Sequence, residues 1–336
     1  MNFEIIGTGM AVPPRRVTND ELAKIVDTSD EWIKSHTGIG SRHVSDDDCP
    51  TSKLGIEAGK QALAMAFPGK TAEEAALSID MIVVATATPD YYGSPSTACI
   101  VQHHLGAKNA GAMDVTAGCT SFIYALETAV GLLAAGDRRY ILVIGAEELT
   151  KFADWGDRGS CVLFGDGAGA VILEKTNSTG ENKRGVIRTL LKADGSGAEH
   201  IVFTKGGTLK PIKKGDIMDE PVYLKMNGQA VYNFAVKALT DSITGILSLE
   251  GLSIEDIACI IPHQANVRII KAAEKRLKIP EGKCYVNMEE YANTSAASIP
   301  ICLDELNRAG RLKKGDRILT VGFGSGLTYG ANLIVW

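Results

Sequence analysis

The feature of this sequence that most restricts its fold is an internal repeat. Each half of the 336-residue chain contains an aspartate before a strand-like run, a polar turn before a helix-like run, and a Gly-Asp-Arg triplet before a second strand-like run. The first copy starts at Asp80 with its triplet at 136–138, and the second starts at Asp256 with its triplet at 315–317. Two copies of one unit pack about a pseudo-twofold axis and bring equivalent loops together. We therefore expect two halves, residues 1–175 and 176–336, to share one site.

Strand-like and helix-like runs alternate through both halves, as in "MIVVATAT" followed by "STACIVQHHLG" and "ACIIPHQAN" followed by "VRIIKAAEKRL". This alternation predicts an α/β fold with buried, mostly parallel sheets. Two glycine clusters, at 165–170 and 322–326, resemble part of a dinucleotide fingerprint. That fingerprint needs a helix after the glycines, whereas strand-like runs follow here, so we expect no nucleotide cofactor.

Composition argues against several other classes of protein. No apolar run approaches the roughly 20 residues that cross a bilayer, and the N-terminus lacks a signal-peptide pattern. Seven cysteines without framework spacing predict reduced thiols in the cytoplasm. The absence of a CxxC pair gives no reason to expect a metal. A net charge of −5 argues against non-specific nucleic-acid binding.

A thiol, Cys119, lies where the polar turn of "DVTAGCTSFIYAL" meets an apolar run. Apolar residues at 122, 126, 129, 130 and 133 keep helical spacing, so a helix is expected directly after it. A helix N-terminus lowers a thiol pKa and offers backbone N–H groups to an oxyanion. A lone cysteine is more often a packed side chain. We expect that packed state for Cys99, Cys161, Cys259, Cys284 and Cys302, and an exposed loop position for Cys49.

Two further polar residues occupy positions typical of a site. His263 follows a strand-like run and precedes a helix-like one in "IIPHQANVRII", and α/β folds place ligands at such strand ends. Asn293, in "EEYANTSAASIP", fits a turn or a helix N-cap equally well. Taken singly, each residue is also compatible with a purely structural role.

Long motifs in a fixed order resemble one family. These are "VTNDELAKIVDTSDEWIKSHTGI", "ATATPDYYGSPSTACIVQHHLGA", "DWGDRGSCVLFGDGAGAVIL", "IIPHQAN", "ANTSAASIP" and "GFGSGLTYGA". Over essentially its whole length the chain resembles β-ketoacyl-[acyl-carrier-protein] synthase III, a condensing enzyme of the thiolase superfamily. The resemblance implies a thiolase-like fold, with two duplicated α/β halves and mixed sheets in a layered αβαβα arrangement. It implies Cys119, His263 and Asn293 as the catalytic triad.

The same resemblance implies a reaction and its partners. An acyl-CoA primer would acylate Cys119, and a malonyl thioester on acyl carrier protein would lose carbon dioxide and attack it, which starts fatty-acid synthesis. The turn at Gly324 and Ser325 would help to hold the oxyanion. A homodimer is implied, and no metal or redox cofactor is needed, because the substrates carry coenzyme A or phosphopantetheine.

Other positions are assigned to substrate binding by the resemblance alone. Trp32 and Arg158 would bracket the adenine of coenzyme A, and Gly228, Asn266 and Phe323 would line the pantetheine tunnel. The helix after His263 would dock the acidic carrier protein through Arg268, Lys271, Lys275 and Arg276, although charged helix faces are usually just solvated.

The sequence departs from the family pattern at several places. His36 stands where an arginine commonly holds coenzyme A phosphate, so a carrier-protein primer is an alternative. Ser94 replaces a phenylalanine that closes the partner's acyl pocket, which leaves room for a longer or branched primer unless Tyr91 or Tyr92 fills the space. Thr120, Ser121 and Ser325 are also unusual. Two alternatives to fatty-acid initiation therefore stay open: a related enzyme of secondary metabolism or long-chain condensation, and a non-catalytic module that binds acyl-CoA or carrier protein.

Overall fold

The computed structural model describes residues 1–177, 183–213 and 221–336. The strands are β1 (Asn2–Ala11), β2 (Arg16–Thr18), β3 (Ser41–His43), β4 (Met81–Ala85), β5 (Gly111–Val115), β6 (Tyr140–Glu148), β7 (Asp166–Thr176), β8 (Gly185–Ala193), β9 (Ile201–Phe203), β10 (Leu224–Met226), β11 (Cys259–Pro262), β12 (Arg317–Gly324) and β13 (Thr328–Val335). The α-helices are α1 (Asn19–Leu22), α2 (Asp30–Thr37), α3 (Thr51–Ala66), α4 (Ala72–Leu77), α5 (Thr97–Leu105), α6 (Ser121–Ala134), α7 (Arg158–Cys161), α8 (Gly228–Glu250), α9 (Val267–Leu277), α10 (Met288–Tyr291) and α11 (Ser298–Arg308). Short 3₁₀ turns lie at Leu149–Phe152, Gly195–His200 and Ser295–Ala297.

Two groups of strands with the same internal order form the main sheet. The first strand group runs β5-β4-β6-β7-β1 and the second runs β11-β12-β13-β8. In each, a parallel pair (β4 with β6, β11 with β12) continues into two antiparallel neighbours. The two groups meet through the pairing of Phe3 with Gly185. This repeated order makes β4 the counterpart of β11 and β6 the counterpart of β12.

The helices and the two strand groups together form five layers. Helices α3 and α5 pack on the outer face of the first strand group, and α8 and α9 pack on the outer face of the second. Between the groups lie α6 and α11, whose Phe122 and Leu303 belong to one cluster with Val83 of β4 and Ile261 of β11. Burying α6 and α11 on both sides explains why their apolar residues are not confined to a narrow stripe.

The fold class is therefore confirmed: two α/β halves form an αβαβα arrangement. The expectation of mostly parallel sheets is wrong, because β7 and β13 run antiparallel to both of their neighbours. Continuous apolar runs record burial on two faces but carry no signal for strand direction. As predicted, strand and not helix follows both glycine clusters: β7 continues to Thr176 after the first, and β13 follows the second. The boundary at residue 175 stays a prediction. Within the described ranges, no helix combines the length and the apolar character needed to cross a bilayer.

Candidate active site

A cavity of about 60 Å³ lies where the two halves meet, and both halves line it. Cys119 of the first half faces it together with His263 and Asn293 of the second. Apolar side chains, among them Phe164 and Leu224, form much of the remaining wall. The structure thus brings the three predicted catalytic residues together, while their roles stay a prediction.

The turn before α6 holds the thiol, and the predicted helix after it is confirmed. Gly118 has a φ of 55°, a conformation that a side chain disfavours. The Ser121 hydroxyl accepts a bond from the Ala117 N–H at 2.7 Å and donates to the Gly118 carbonyl at 2.6 Å, which closes the turn. This gives the unusual Ser121 a local structural role.

The turn at the end of β12 lies directly against the thiol. A Cβ atom on Gly324 would stand 2.5 Å from the Cys119 backbone nitrogen, so only glycine fits there. Ser325 packs on Gly118, since a Cβ on that glycine would lie 2.2 Å from the Ser325 Oγ. The predicted oxyanion turn therefore adjoins the Cys119 N–H.

The expected lowering of the Cys119 pKa is not what the structure gives. Burial among apolar groups raises the pKa of the Cys119 thiol to about 12, although a bond with the Ser295 side chain acts in the opposite direction. Some of the residue remains exposed towards the cavity. Desolvation of a thiolate outweighs the helix N-terminus here. At neutral pH Cys119 is therefore a neutral thiol, and it must lose its proton for its sulfur to act as a nucleophile.

His263 lies between β11 and α9, as the sequence predicted. It is only 1% exposed, and burial lowers its pKa to about 3, so the ring is neutral at physiological pH. Its Nδ1 lies 2.8 Å from the Ser298 Oγ, and its ring packs edge-on against Phe323 with centroids 5.3 Å apart. A neutral imidazole can donate one hydrogen bond without adding a charge.

The turn that presents Asn293 is strained. Ala292 and Ser295 both have positive φ values, 57° and 46°, which non-glycine residues rarely adopt. The Asn293 Oδ1 accepts a hydrogen bond from the Ser295 N–H at 2.8 Å. Of the two structural roles predicted for Asn293, the turn residue is therefore correct. With its oxygen held, the side chain has its Nδ2 amide to offer to the cavity.

A buried carboxylate that sequence reasoning missed connects the two halves behind the site. Glu147 of β6 accepts bonds from the Ala87 and Thr88 N–H groups, and from the Ser295 hydroxyl at 2.9 Å. Its pKa is raised by burial. A charged residue inside the apolar run "YILVIGAEE" was the available signal. Glu147 fixes the position of the Asn293 turn relative to β6.

The two predicted adenine-binding residues are in contact with each other. The Arg158 guanidinium lies 4.6 Å from the centre of the Trp32 ring and donates to the Asp27 carbonyl at 2.8 Å. His36 also stacks on Trp32, with centroids 4.3 Å apart, and its Nδ1–H donates to the Trp32 carbonyl at 2.7 Å. An adenine would have to separate Arg158 from Trp32 before it could lie between them. The stacking of His36 on Trp32 could have been predicted, because the two residues are four positions apart on one helix.

Comparison with known proteins agrees with this geometry. Sequence profiles of the family described as 3-oxoacyl-[acyl-carrier-protein (ACP)] synthase III match residues 113–195, and residues 247–336 for its C-terminal region. The chain is 50% identical over 333 residues to the β-ketoacyl-[acyl-carrier-protein] synthase III of Clostridium perfringens strain SM101, an alignment that covers 99% of each. This chain belongs to the β-ketoacyl-[acyl-carrier-protein] synthase III family.

Solved structures show the same relationship. The 3-oxoacyl-[acyl-carrier-protein] synthase III from Aquifex aeolicus VF5 aligns over 100% of both chains with a TM-score of 0.88 and 41% identity. The priming β-ketosynthase of the R1128 polyketide biosynthetic pathway aligns over 99% of this chain and 96% of its own, with a TM-score of 0.87 and 31% identity. Sequence identity is therefore higher to the Aquifex aeolicus synthase III than to the polyketide priming enzyme, while the TM-scores are nearly equal.

The remaining positions assigned by resemblance to synthase III lie around the site. Phe323 lines the cavity, whereas Asn266 caps α9 and donates from its Nδ2 to the His36 carbonyl at 3.1 Å. Gly228 begins α8, exposed, beside the cavity-lining Met226. Ser94 lies on an exposed loop and does not line the cavity of this chain, so its role in a partner's acyl pocket stays a prediction.

The predicted docking face is present on α9. Arg268, Lys271, Lys275 and Arg276 are exposed, while Ile269, Ile270 and Ala273 are buried. The N-terminus of α9 adjoins the end of α2, because a Cβ on Gly38 would lie 2.7 Å from the Val267 Cβ. The basic face therefore begins beside the helix that carries Trp32 and His36.

Two of the predictions for the other cysteines are wrong. Cys99 is exposed on α5, with its Sγ accepting a bond from the Ser96 hydroxyl at 3.1 Å, because its position is on the outer side of that helix. Cys49 is half-buried, and burial raises its pKa to about 11. Cys161 and Cys302 are buried as expected, while Cys259 and Cys284 are only partly so.

Proposed function

We propose that this chain condenses an acyl-CoA primer with malonyl-[acyl-carrier-protein] to give a β-ketoacyl-[acyl-carrier-protein], the initiating step of fatty-acid biosynthesis. The observation that carries the proposal is the shared cavity, where one thiol, one neutral imidazole and one carboxamide converge. Family membership and identity of 50% to a β-ketoacyl synthase III over nearly the full chain support it.

The first step is acylation of Cys119. Its sulfur attacks the thioester carbonyl of the primer, the bond from carbonyl carbon to coenzyme A sulfur breaks, and the thiol proton ends on the departing coenzyme A. The Cys119 N–H and the adjoining Gly324 turn are placed to hold the oxyanion. Exchange of one thioester for another leaves the overall energy nearly unchanged, so little external driving force is needed.

The second step is decarboxylation followed by carbon–carbon bond formation. Malonyl thioester loses carbon dioxide, and the electron pair moves into an enolate whose oxygen accepts hydrogen bonds from His263 and Asn293. The enolate carbon then attacks the acyl-Cys119 carbonyl, and the Cys119 thiolate leaves and regains a proton. Neutral donors suit this step, because a buried cationic imidazole would itself require desolvation.

We also propose that no metal or redox cofactor takes part, because a thiol and hydrogen-bond donors serve every step. Acyl carrier protein would dock on the basic face of α9, and complementary charge would speed its encounter. Trp32 and Arg158 would receive the adenine of coenzyme A once their contact opens. A homodimer and a cytoplasmic location complete the proposal, as the family resemblance and the seven cysteines without framework spacing indicate.

The alternatives to fatty-acid initiation have less support. Primer length is left to experiment, because Ser94, the residue predicted to close the acyl pocket, lies outside this cavity. The identity of 31% to the polyketide priming enzyme, against 41% to the Aquifex aeolicus enzyme, favours primary over secondary metabolism. A non-catalytic binding module would have no use for all of Cys119, His263 and Asn293 at one cavity.

Mass spectrometry of the intact chain after incubation with acyl-CoAs of increasing length tests the proposal. We expect one acyl adduct, located on Cys119, and the chain length that forms it fastest identifies the primer. Addition of malonyl-[acyl-carrier-protein] should then discharge the adduct and release β-ketoacyl carrier protein. An adduct that forms on another cysteine, or one that malonyl carrier protein never discharges, would contradict the proposal.

A further inference from the structure

The tautomer of His263 decides what the second half of the site can do. A neutral imidazole has one N–H donor and one acceptor nitrogen, and the donor position is set by what the other nitrogen contacts. If the cavity-facing nitrogen carried the lone pair, it would repel an enolate oxygen. The proposed function therefore requires a device that holds the proton on Nε2, and the following inference rests on that function.

Ser298, the first residue of α11, lies against the opposite nitrogen. Its Oγ is 2.8 Å from the His263 Nδ1, and the two residues are 2% and 1% exposed. Water is therefore a poor competitor for this hydrogen bond. The edge-on packing of Phe323 limits rotation of the ring, so the contact with Ser298 is held in one geometry.

The second contact of the Ser298 hydroxyl indicates its direction. The Gln264 backbone N–H points at the same Oγ from 3.5 Å, and an amide can only donate. The oxygen thus receives a bond from Gln264 and has its own hydrogen to give. Within the described residues, Nδ1 is the one acceptor recorded for that hydrogen. A histidine that accepts at Nδ1 carries its proton on Nε2.

We infer that Ser298 is a positioning residue that fixes His263 as the Nε2–H tautomer and so turns the imidazole into a hydrogen-bond donor towards the thioester carbonyl. Ser298 touches no substrate and acts through the ring alone. The inference separates the two steps of the reaction. Acylation of Cys119 uses backbone donors at the Gly324 turn, whereas decarboxylation uses His263 and depends on its tautomer.

The variant Ser298→Ala tests the inference, with Ser298→Thr restoring the hydroxyl. We expect Ser298→Ala to lower malonyl decarboxylation and condensation up to about tenfold, the effect of losing one neutral hydrogen bond. Cys119 acylation should not change, and Ser298→Thr should recover most of the lost rate. The matched control is Ser242→Ala. The Ser242 hydroxyl is also buried but, unlike that of Ser298, has no hydrogen-bond partner among the described residues.

Nitrogen-15 NMR of histidine-labelled protein reads the tautomer directly, with His263→Ala used to assign the signals. The inference expects a protonated Nε2 in the unmodified chain and loss of that single tautomer in Ser298→Ala. A protonated Nδ1 in the unmodified chain, or equal losses of acylation and condensation in Ser298→Ala, would overturn it. The NMR result does not depend on turnover, so failure of the proposed function, seen as a chain that neither acylates nor condenses, is distinguished from failure of this inference.

Discussion

The two halves of the sheet are built alike but place different chemistry at their ends. After β4 come Ala87 and Thr88, whose N–H groups hold Glu147, whereas after its counterpart β11 comes His263. Likewise α6 follows Cys119, and its counterpart α11 follows the Asn293 turn. One half thus presents the proposed nucleophile and the other presents the two proposed neutral donors. The repeated strand order gives both halves the same frame, and different residues at equivalent loops give them different chemistry.

Removing the nucleophile should give the largest effect, because it abolishes acylation and with it the condensation that uses acyl-Cys119. We expect Cys119→Ala to lose acyl transfer by at least roughly 10³-fold, because no other group at the cavity can form the thioester. Intact-mass measurement of the acyl adduct checks this. Cys99→Ala is the matched control, since Cys99 is an exposed thiol and its loss should leave the adduct unchanged.

Removing a hydrogen-bond donor should slow condensation, the step assigned to the second half, and leave acylation of Cys119 unchanged. We expect His263→Ala and Asn293→Ala each to lower condensation roughly 10²- to 10³-fold, the usual cost of one preorganised donor, while Cys119 is still acylated. Single-turnover measurements of the two steps separate them, with the exposed His104→Ala as control. Equal loss of both steps in the donor variants would show that the halves do not divide the reaction as described.

The buried imidazole also makes stability depend on pH. Burial lowers the His263 pKa from 6.5 to about 3, so between these values the unfolded chain binds a proton there and the folded chain does not. Stability should therefore fall as the pH drops below 6.5, by up to ~1.4 kcal/mol per pH unit from this residue. Urea unfolding across this range should give a shallower dependence for His263→Gln. An unchanged dependence in that variant, or an equal change in the exposed His104→Gln, would place the effect elsewhere.

Sequence patterns predicted the elements of the site better than its physical state. The helix after Cys119 and the strand before His263 follow from periodicity, which records which residues are buried. The raised pKa of Cys119 does not, because its desolvation comes from side chains distant in sequence, such as Phe164 and Leu224. Strand direction was missed for the same reason: burial on both faces looks alike in parallel and antiparallel strands.

Contacts across the halves were the least predictable from the chain. The hydrogen-bond partners of Glu147 are in the loop after β4 and at Ser295. The sequence around Glu147 does not predict these partners. The meeting of Gly324 with Cys119 likewise depends on how the two strand groups dock. The internal repeat predicted that such meetings occur near one axis, and the family resemblance supplied the residues.

The smallest effect should come from the surface of the second half. Reversing charge at Arg268 and Lys275 should raise the KM for malonyl carrier protein about fivefold at low salt and less at high salt, because exposed charges act mainly on encounter. Acylation of Cys119 by acyl-CoA should not change. Lys53→Glu, at an exposed position of α3 in the first half, is the control. If reversal at α9 slowed acylation as much as condensation, or if Lys53→Glu had the same effect, the basic face of α9 would be an ordinary solvated surface, and docking would have to be sought at another face of the molecule.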